Sequence, residues 1–207
     1  MSKIFLIHGF AVGLTAPIFR CGFGISAGFR IFEDLILKKE AVVFRWGIDS
    51  RVNPFRFLNP FFLLNYYEDE KFLAQAFETH KRLEEFLEKE KPEVIVCHSM
   101  GCFLLNEYLK NNQLPSSVRT IVFNQADIAK NEEIKIELPV YNFYCPWDPT
   151  LIASSIYNRA WRGGLGQLKK ENVKNVLFPL WCLPNLHVSA IRDERFVRHI
   201  LTPNPLS

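Results

Sequence analysis

A serine lies between a strand pattern and a helix pattern near the middle of the chain. Residues 94–101 read Val-Ile-Val-Cys-His-Ser-Met-Gly, and a helical pattern continues over 100–111. A serine on a sharp strand-to-helix turn has a strained backbone and an exposed hydroxyl, which suits nucleophilic attack. We therefore predict that Ser99 is a nucleophile. The alternative is a tight turn with an idle serine.

The turn also needs small residues two positions before and after the serine, so that strand and helix can approach closely. Gly101 meets this need fully. Cys97 stands where the usual Gly-x-Ser-x-Gly pattern has its first glycine, and it meets the need only in part.

A serine hydroxyl needs a histidine to take its proton and a carboxylate to hold that histidine in one tautomer. On turns of this kind the chain order is serine, then acid, then histidine, each after a strand. Asp148 follows a predicted strand over 140–144, and His187 follows one that ends at residue 178. We predict that these two residues complete a triad with Ser99.

The other four histidines fit this role less well. His8 lies upstream and is expected to shape the loop after the first strand, whereas His80 falls on the apolar stripe of a predicted helix. His98 is expected to point away from the serine, and His199 lies in a predicted terminal helix. Position along the chain therefore favours His187.

Two other aspartates could serve as the carboxylate of the triad. Asp127 follows the strand before Asp148, and Asp49 follows Trp46-Gly47. Asp127 has an ordinary alternative role in capping the segment that follows it. Asp148 is the preferred acid, and Asp127 stays open as its replacement.

A tetrahedral oxyanion needs two backbone N–H donors, typically from the residue after the nucleophile and from the loop after the first strand. Met100 and Phe10 occupy these positions. Only their backbone is required, so their side chains are free to line an acyl pocket.

Six short apolar runs separated by helical stretches predict the sheet that would hold these residues. The runs are nearly continuous in apolar residues, which is typical of parallel strands covered on both faces. They span 3–7, 41–46, 93–97, 119–123, 140–144 and 174–178. The predicted class is α/β, with a mostly parallel central sheet of about six strands flanked by helices.

Helical patterns fall between these runs. The clearest covers 68–91, where apolar residues recur at 3.6 spacing until Pro92 stops the helix. Others are predicted over 27–38, 100–111 and 188–201. The 207 residues are predicted to form a single domain, 1–207.

Two stretches do not fit this pattern of strands and helices. Residues 10–28 are rich in glycine and aromatic residues and predict a long irregular loop. Residues 51–67 contain too many prolines for a regular element and too many apolar residues for an ordinary solvated loop. They are interpreted as a lid or pocket wall over the site, or equally as a loop that folds onto the core or forms a dimer contact.

Composition and charge limit the classes of partner, the cellular location and the cofactors that can be expected. A net charge of +3 without a long basic block argues against nucleic acid. The apolar run at the N-terminus is too short for a secretory signal, and no run is long enough to span a membrane, so a cytoplasmic location is expected. Five scattered cysteines lack the spacing of a zinc site or a disulfide framework. No metal or organic cofactor is expected, and the oligomeric state is left open.

The chain resembles the α/β-hydrolase superfamily over nearly its whole length, and it is similar to a bacterial subgroup of unassigned function. The matching motifs are His8-Gly9-Phe10, Phe44-Arg45-Trp46, Tyr66 with Asp69, His98-Ser99-Met100-Gly101, Asp127, and Asp148 with Ser154. One departure is Gly47, where the subgroup tends to have proline. The resemblance implies a minimal α/β-hydrolase fold, a serine triad and acyl-transfer chemistry.

Together these features predict a serine hydrolase that cleaves a small-molecule carboxylic ester through an acyl-enzyme on Ser99. A lactonase or a thioesterase would use the same triad, because the same groups attack any activated acyl carbon. Acyl transfer to an acceptor other than water also stays open. A different class is a hydrolase scaffold that serves only as a binding module.

Overall fold

The computed structural model describes residues 3–9, 14–15, 28–48, 50–51, 59–177, His187 and Phe196. Within them lie eight strands: β1 (Ile4–Ile7), β2 (Leu14–Thr15), β3 (Ala41–Phe44), β4 (Ser50–Arg51), β5 (Val94–His98), β6 (Thr120–Asn124), β7 (Val140–Tyr144) and β8 (Val173–Leu177). Six of these form one sheet in the order β3-β1-β5-β6-β7-β8. Every neighbouring pair in that sheet is parallel. The two-residue strands β2 and β4 pair with each other, also in parallel.

Each of the six predicted runs overlaps one strand of this sheet, although β5, β6 and β8 each extend one residue beyond the predicted bounds. The inner strand β1 is buried at all four positions, and β5 and β6 are buried at every position after the first. The edge strand β8 has three half-buried and two exposed residues. The prediction of continuously apolar strands covered on both faces is therefore confirmed for the interior of the sheet.

Five helices accompany the strands in the described part of the chain: α1 (Glu33–Leu37), α2 (Pro60–Gln75), α3 (Phe77–Glu90), α4 (Met100–Leu109) and α5 (Pro149–Tyr157). Alternate strand residues face two separate cores. One core joins Phe5, Ile95 and Ile121 to side chains of α3 and α4. The other joins Leu6, Val96 and Val122 to Phe32 and Phe196. Helices cover both faces of a parallel sheet, which confirms the predicted α/β class.

The prediction of one helix over 68–91 was wrong. Ala76 has an extended backbone (φ −71°, ψ 136°), and it separates α2 from α3. The imidazole Nε2 atom of His80 lies 2.8 Å from the carbonyl oxygen of Ala74, which has no helical N–H partner at the break. Apolar spacing did not reveal the break because α3 still buries one stripe, with Leu83 and Leu87 inaccessible to solvent. The helix ends at Glu90, and its C-cap Lys91 has a left-handed conformation (φ 45°) just before Pro92.

The expectation that 51–67 holds no regular element was also wrong in its second half. Helix α2 begins at Pro60, and the Asn59 side chain accepts a hydrogen bond from the backbone N–H of Phe61 at 3.0 Å. Proline is well tolerated in the first turn because its missing N–H would have no helical partner there. Residues 52–58 lie outside the described residues.

Two other helix predictions need adjustment. The helix predicted over 27–38 is a short 3-10 turn, Arg30–Phe32, followed by the single-turn helix α1. Helix α5 was not predicted at all. Apart from Phe196, the helix predicted over 188–201 lies outside the described residues, as does most of 10–28.

Helices in the described part of the chain are too short or too polar to cross a membrane. Strand β1 lies between β3 and β5, so the chain leaves β1 toward one side of the sheet and later crosses to the other. Ligands of doubly wound sheets bind at such a switch point, outside the carboxyl ends of the strands. Ser99 follows β5 at this position.

Candidate active site

Ser99 occupies a strained turn between β5 and α4. Its backbone has φ 52° and ψ −120°, a conformation that residues with a Cβ rarely adopt. Its N–H donates to the carbonyl of Asn124 at 3.0 Å, which ties the turn to the end of β6. The side chain gives no cap to α4. Its hydroxyl is therefore not used in holding the helix start.

Gly101 is required at this turn by direct contact. A Cβ atom at position 101 would lie 2.5 Å from the carbonyl oxygens of both Ile7 and His8. Backbone atoms cannot move aside as a flexible side chain can, so only glycine fits. Cys97 is tolerated at the other small position, where its buried side chain lies in the core beside Cys102.

His187 contacts both predicted partners. Its Nε2 atom lies 2.9 Å from Oγ of Ser99, and its Nδ1 atom lies 2.7 Å from Oδ2 of Asp148. A carboxylate can only accept, so the proton sits on Nδ1 and leaves Nε2 free to accept from the serine hydroxyl. Three residues from separate parts of the sequence are thus linked in series by hydrogen bonds.

Asp148 is fully buried and both of its oxygens are used. Oδ1 accepts from the backbone N–H groups of Thr150 and Leu151 at 2.9 and 3.2 Å, so Asp148 caps α5. Oδ2 accepts from the Gln125 amide at 2.8 Å as well as from His187. Burial favours the neutral acid, yet the hydrogen bonds and the positive form of His187 outweigh it and lower the pKa of Asp148 below its ordinary value.

Asp127 lies in a different cluster. Its Oδ1 accepts from Ser154 at 2.6 Å and lies 3.2 Å from Nε of Arg162, while Oδ2 accepts from Tyr67 at 3.1 Å. Through this cluster, the segment after β6 is joined to α2 by Tyr67 and to α5 by Ser154. The geometry therefore favours Asp148 over Asp127 as the partner of His187. Asp49 lies outside the described residues.

One of the two predicted oxyanion donors can be located. Met100 is the first residue of α4, where backbone N–H groups have no earlier helical carbonyl to bind. Phe10 lies outside the described residues. Its neighbour Gly9 runs against the serine, since a Cβ atom at position 9 would lie 2.8 Å from Cβ of Ser99.

His8 holds the end of β1 to the residues after β3. The backbone N–H of Trp46 donates to Nε2 of His8 at 3.2 Å, and the Trp46 indole N–H donates to the His8 carbonyl at 3.0 Å. The two rings also stack, with centroids 5.6 Å apart. Burial lowers the pKa of His8 to about 4, so this histidine is neutral at physiological pH.

Two contacts of the site were missed from sequence. Gln125 binds Asp148, and the only signal for it is its place after β6. His98 was expected to point away from the serine, and no partner was predicted for it; its Nε2–H donates to the backbone carbonyl of His187 at 2.7 Å. This contact was missed because the expectation considered the serine alone and not the histidine that reaches the serine from a distant part of the sequence.

Among the described residues, no three histidine, cysteine, aspartate or glutamate side chains are grouped so that they could hold a metal ion. The serine, histidine and aspartate that are linked by hydrogen bonds have the geometry that activation of a hydroxyl nucleophile requires.

Comparison with solved structures finds a likeness to a protein from Xanthomonas campestris pv. campestris, provisionally described as a hydrolase of the alpha/beta superfamily. The two chains are 15% identical, and the match covers 97% of this chain and 98% of that chain with a TM-score of 0.49. No protein-family model matches the sequence. No curated protein matches it. The roles of the site residues are therefore inferred from this chain's own geometry.

Proposed function

We propose that this protein is a serine hydrolase that cleaves carboxylic esters through an acyl-enzyme on Ser99. The observation that carries the proposal is the position of the His187 imidazole, 2.9 Å from Oγ of Ser99 and 2.7 Å from the carboxylate of Asp148. Both distances are within the hydrogen-bond reach that a base needs, to its nucleophile for proton transfer and to the carboxylate that orients it.

In the first half of the proposed reaction, Nε2 of His187 takes the Ser99 proton as Oγ attacks the ester carbonyl carbon. The backbone N–H of Met100, together with that of Phe10, donates to the oxyanion. His187 then returns the proton to the alkoxide leaving group, and the alcohol departs. In the second half, water attacks the acyl-enzyme with His187 again as base, which releases the acid and restores Ser99.

The charge state of Asp148 fits its proposed role. A lowered pKa keeps its carboxylate ionised near neutral pH. An ionised carboxylate next to Nδ1 stabilises the imidazolium that forms when His187 accepts the serine proton. The Gln125 amide and the start of α5 hold that carboxylate so that only Oδ2 faces the imidazole.

A fluorophosphonate probe tests the proposal, because it forms a covalent bond only with an activated serine. We expect the folded protein to be labelled on the peptide that contains Ser99, with labelling lost in Ser99→Ala and in urea-unfolded protein. The Ser116→Ala variant is a matched control, since Ser116 is exposed on a loop between α4 and β6. Folded protein without a label at Ser99 would instead indicate a non-catalytic binding module.

Product analysis then defines the substrate class. Carboxylic esters are the proposed substrates, and a series of esters, lactones and thioesters with a common acyl group tests this choice. Faster turnover of the lactone or thioester than of the matched ester would replace the ester assignment while leaving the Ser99 mechanism in place. Added alcohols would reveal transfer to an acceptor other than water.

A further inference from the structure

His98 makes a contact that the proposed reaction does not use. It is the last residue of β5, it is buried, and its Nε2–H donates to the backbone carbonyl of His187 at 2.7 Å. The two imidazole rings lie beside each other, with centroids 4.8 Å apart and planes inclined by 52°. The residue before the proposed nucleophile therefore holds the main chain of the proposed base.

We infer that His98 is a positioning residue for the general base, acting through its hydrogen bond to the His187 carbonyl. This inference rests on the proposed function, since it gives His98 a role only if His187 activates Ser99. Besides the contact of its Nε2 with Ser99, His187 has two hydrogen bonds within the described residues: Asp148 binds its ring at Nδ1 and His98 binds its backbone.

A hydrogen bond to the backbone restricts His187 more than the Asp148 bond does alone. The Asp148 bond sets the distance from Nδ1 to the carboxylate, but it lets the ring pivot about that bond. A hydrogen bond to the backbone carbonyl also holds the main chain from which the side chain starts, which restricts the positions open to Nε2, now 2.9 Å from Oγ. A misplacement of about 1 Å in a reacting group can cost roughly 100-fold in rate.

The donor must also keep its proton while His187 gains and loses one. Burial lowers the pKa of His98 to about 3, and the nearby His187 adds to this effect because two positive rings would repel each other. Phe29 packs edge-on against His98 at 6.4 Å between ring centroids, which helps to exclude water. His98 is thus a neutral donor across the pH range in which an imidazole base works.

Three substitutions separate the hydrogen bond from the space that the ring fills. His98→Phe keeps a ring of similar size but has no donor. His98→Gln carries an amide nitrogen about as far from the backbone as Nε2, and His98→Asn carries one that is too short to reach. As a matched control, His80→Phe removes a histidine whose Nε2 contacts the Ala74 carbonyl at 2.8 Å, at the break between α2 and α3.

The kinetics of a p-nitrophenyl ester provide the readout. We expect kcat to fall about 100-fold in His98→Phe and His98→Asn, with KM within about twofold of wild type, because the substrate is bound but the base is misaligned. His98→Gln should recover most of that loss, and His80→Phe should keep the wild-type kcat. Circular dichroism shows which variants fold. If His98→Phe does not fold, His98→Asn serves as the variant that lacks the hydrogen bond to His187.

Wild-type kcat in folded His98→Phe and His98→Asn would overturn the inference, and so would an equal loss in His98→Gln and His98→Asn. Fluorophosphonate labelling of the wild type separates this failure from failure of the proposed function. If wild-type Ser99 is not labelled, the proposed function itself is wrong. If it is labelled and His98→Phe reacts at the same rate, only the role of His98 is wrong.

Discussion

The Nε2 atom of His187 lies 2.9 Å from the Oγ atom of Ser99, although the two residues are 88 positions apart in the chain. Parallel strands account for much of this meeting, because their carboxyl ends share one edge of the sheet. Ser99 follows β5 and Asp148 follows β7, so both residues lie at that edge. His187 joins them from beyond β8.

Replacing Asp148 by asparagine should greatly lower activity. The amide cannot stabilise an imidazolium, and it favours the wrong tautomer of His187, so we expect kcat for a p-nitrophenyl ester to fall about 10³- to 10⁴-fold at neutral pH. KM should change little, because Asp148 is buried behind the histidine. Steady-state kinetics on the folded variant provide the test.

The same substitution at Asp127 should affect stability more than activity. Asp127→Asn removes the charge that faces Arg162 in a buried pair, which costs about 3 kcal/mol or more when one partner is lost. The backbone N–H of Asp127, which donates to the Ser99 carbonyl at 3.2 Å, is unchanged. Urea denaturation and kcat per folded molecule distinguish the two aspartates. A larger loss of kcat in Asp127→Asn than in Asp148→Asn would reverse the assignment of the acid.

Gly101→Ala should prevent the turn at Ser99 from forming. The added methyl would meet two backbone oxygens at 2.5 Å, and we expect the free energy of unfolding to fall by more than about 3 kcal/mol. Gly166→Ala is the control, because the nearest atom to its added methyl, Nζ of Lys130, lies 3.6 Å away. That variant should stay within about 0.5 kcal/mol of wild type. Equal stability of the two variants would show that the turn tolerates a side chain.

Acid should destabilise the protein through its buried neutral histidines. The pKa of His98 is lowered from 6.5 to about 3 in the folded state, so between these values the unfolded chain binds a proton that the folded protein does not. The free energy of unfolding therefore falls as the pH is lowered, by about 1.4 kcal/mol per pH unit for such a histidine. His8, with a pKa of about 4, adds to the trend in the same direction.

His98→Gln removes one of these two contributions. The stability difference between wild type and this variant should become about 2 kcal/mol more favourable to the variant when the pH is lowered from 7 to 5. Urea titrations at the two pH values measure this change. A difference that stays constant would mean that His98 is protonated alike in the folded and unfolded states.

The sheet could be predicted from sequence because a strand that is buried on both faces is apolar at nearly every position. Each of the six strands overlaps a predicted run of apolar residues, and the ends of strand and run agree to within one or two residues. Helix boundaries were less accessible. The break at Ala76 depends on how α2 and α3 pack in the folded protein, which local spacing does not report. Helix α5 was missed although Asp148-Pro149 is a typical helix start with an N-cap and a proline in the first turn.

Some residues of the candidate site could likewise be predicted from sequence, and others could not. Ser99, Asp148 and His187 could be proposed because strand order and residue type restrict where a nucleophile, an acid and a base can stand. The hydrogen bonds of Gln125 and His98 depend on which side chains meet across three strands and a distant segment. No spacing within the sequence reports such contacts, since each partner lies in a different element.

The central claim is that Ser99 is the nucleophile. Turnover of p-nitrophenyl acetate by wild type, Ser99→Ala and Ser116→Ala tests it most directly, with folding checked by circular dichroism. We predict that Ser99→Ala loses at least about 10³-fold in kcat, while Ser116→Ala keeps the wild-type value. A folded Ser99→Ala variant that hydrolyses the ester at the wild-type rate would contradict the account.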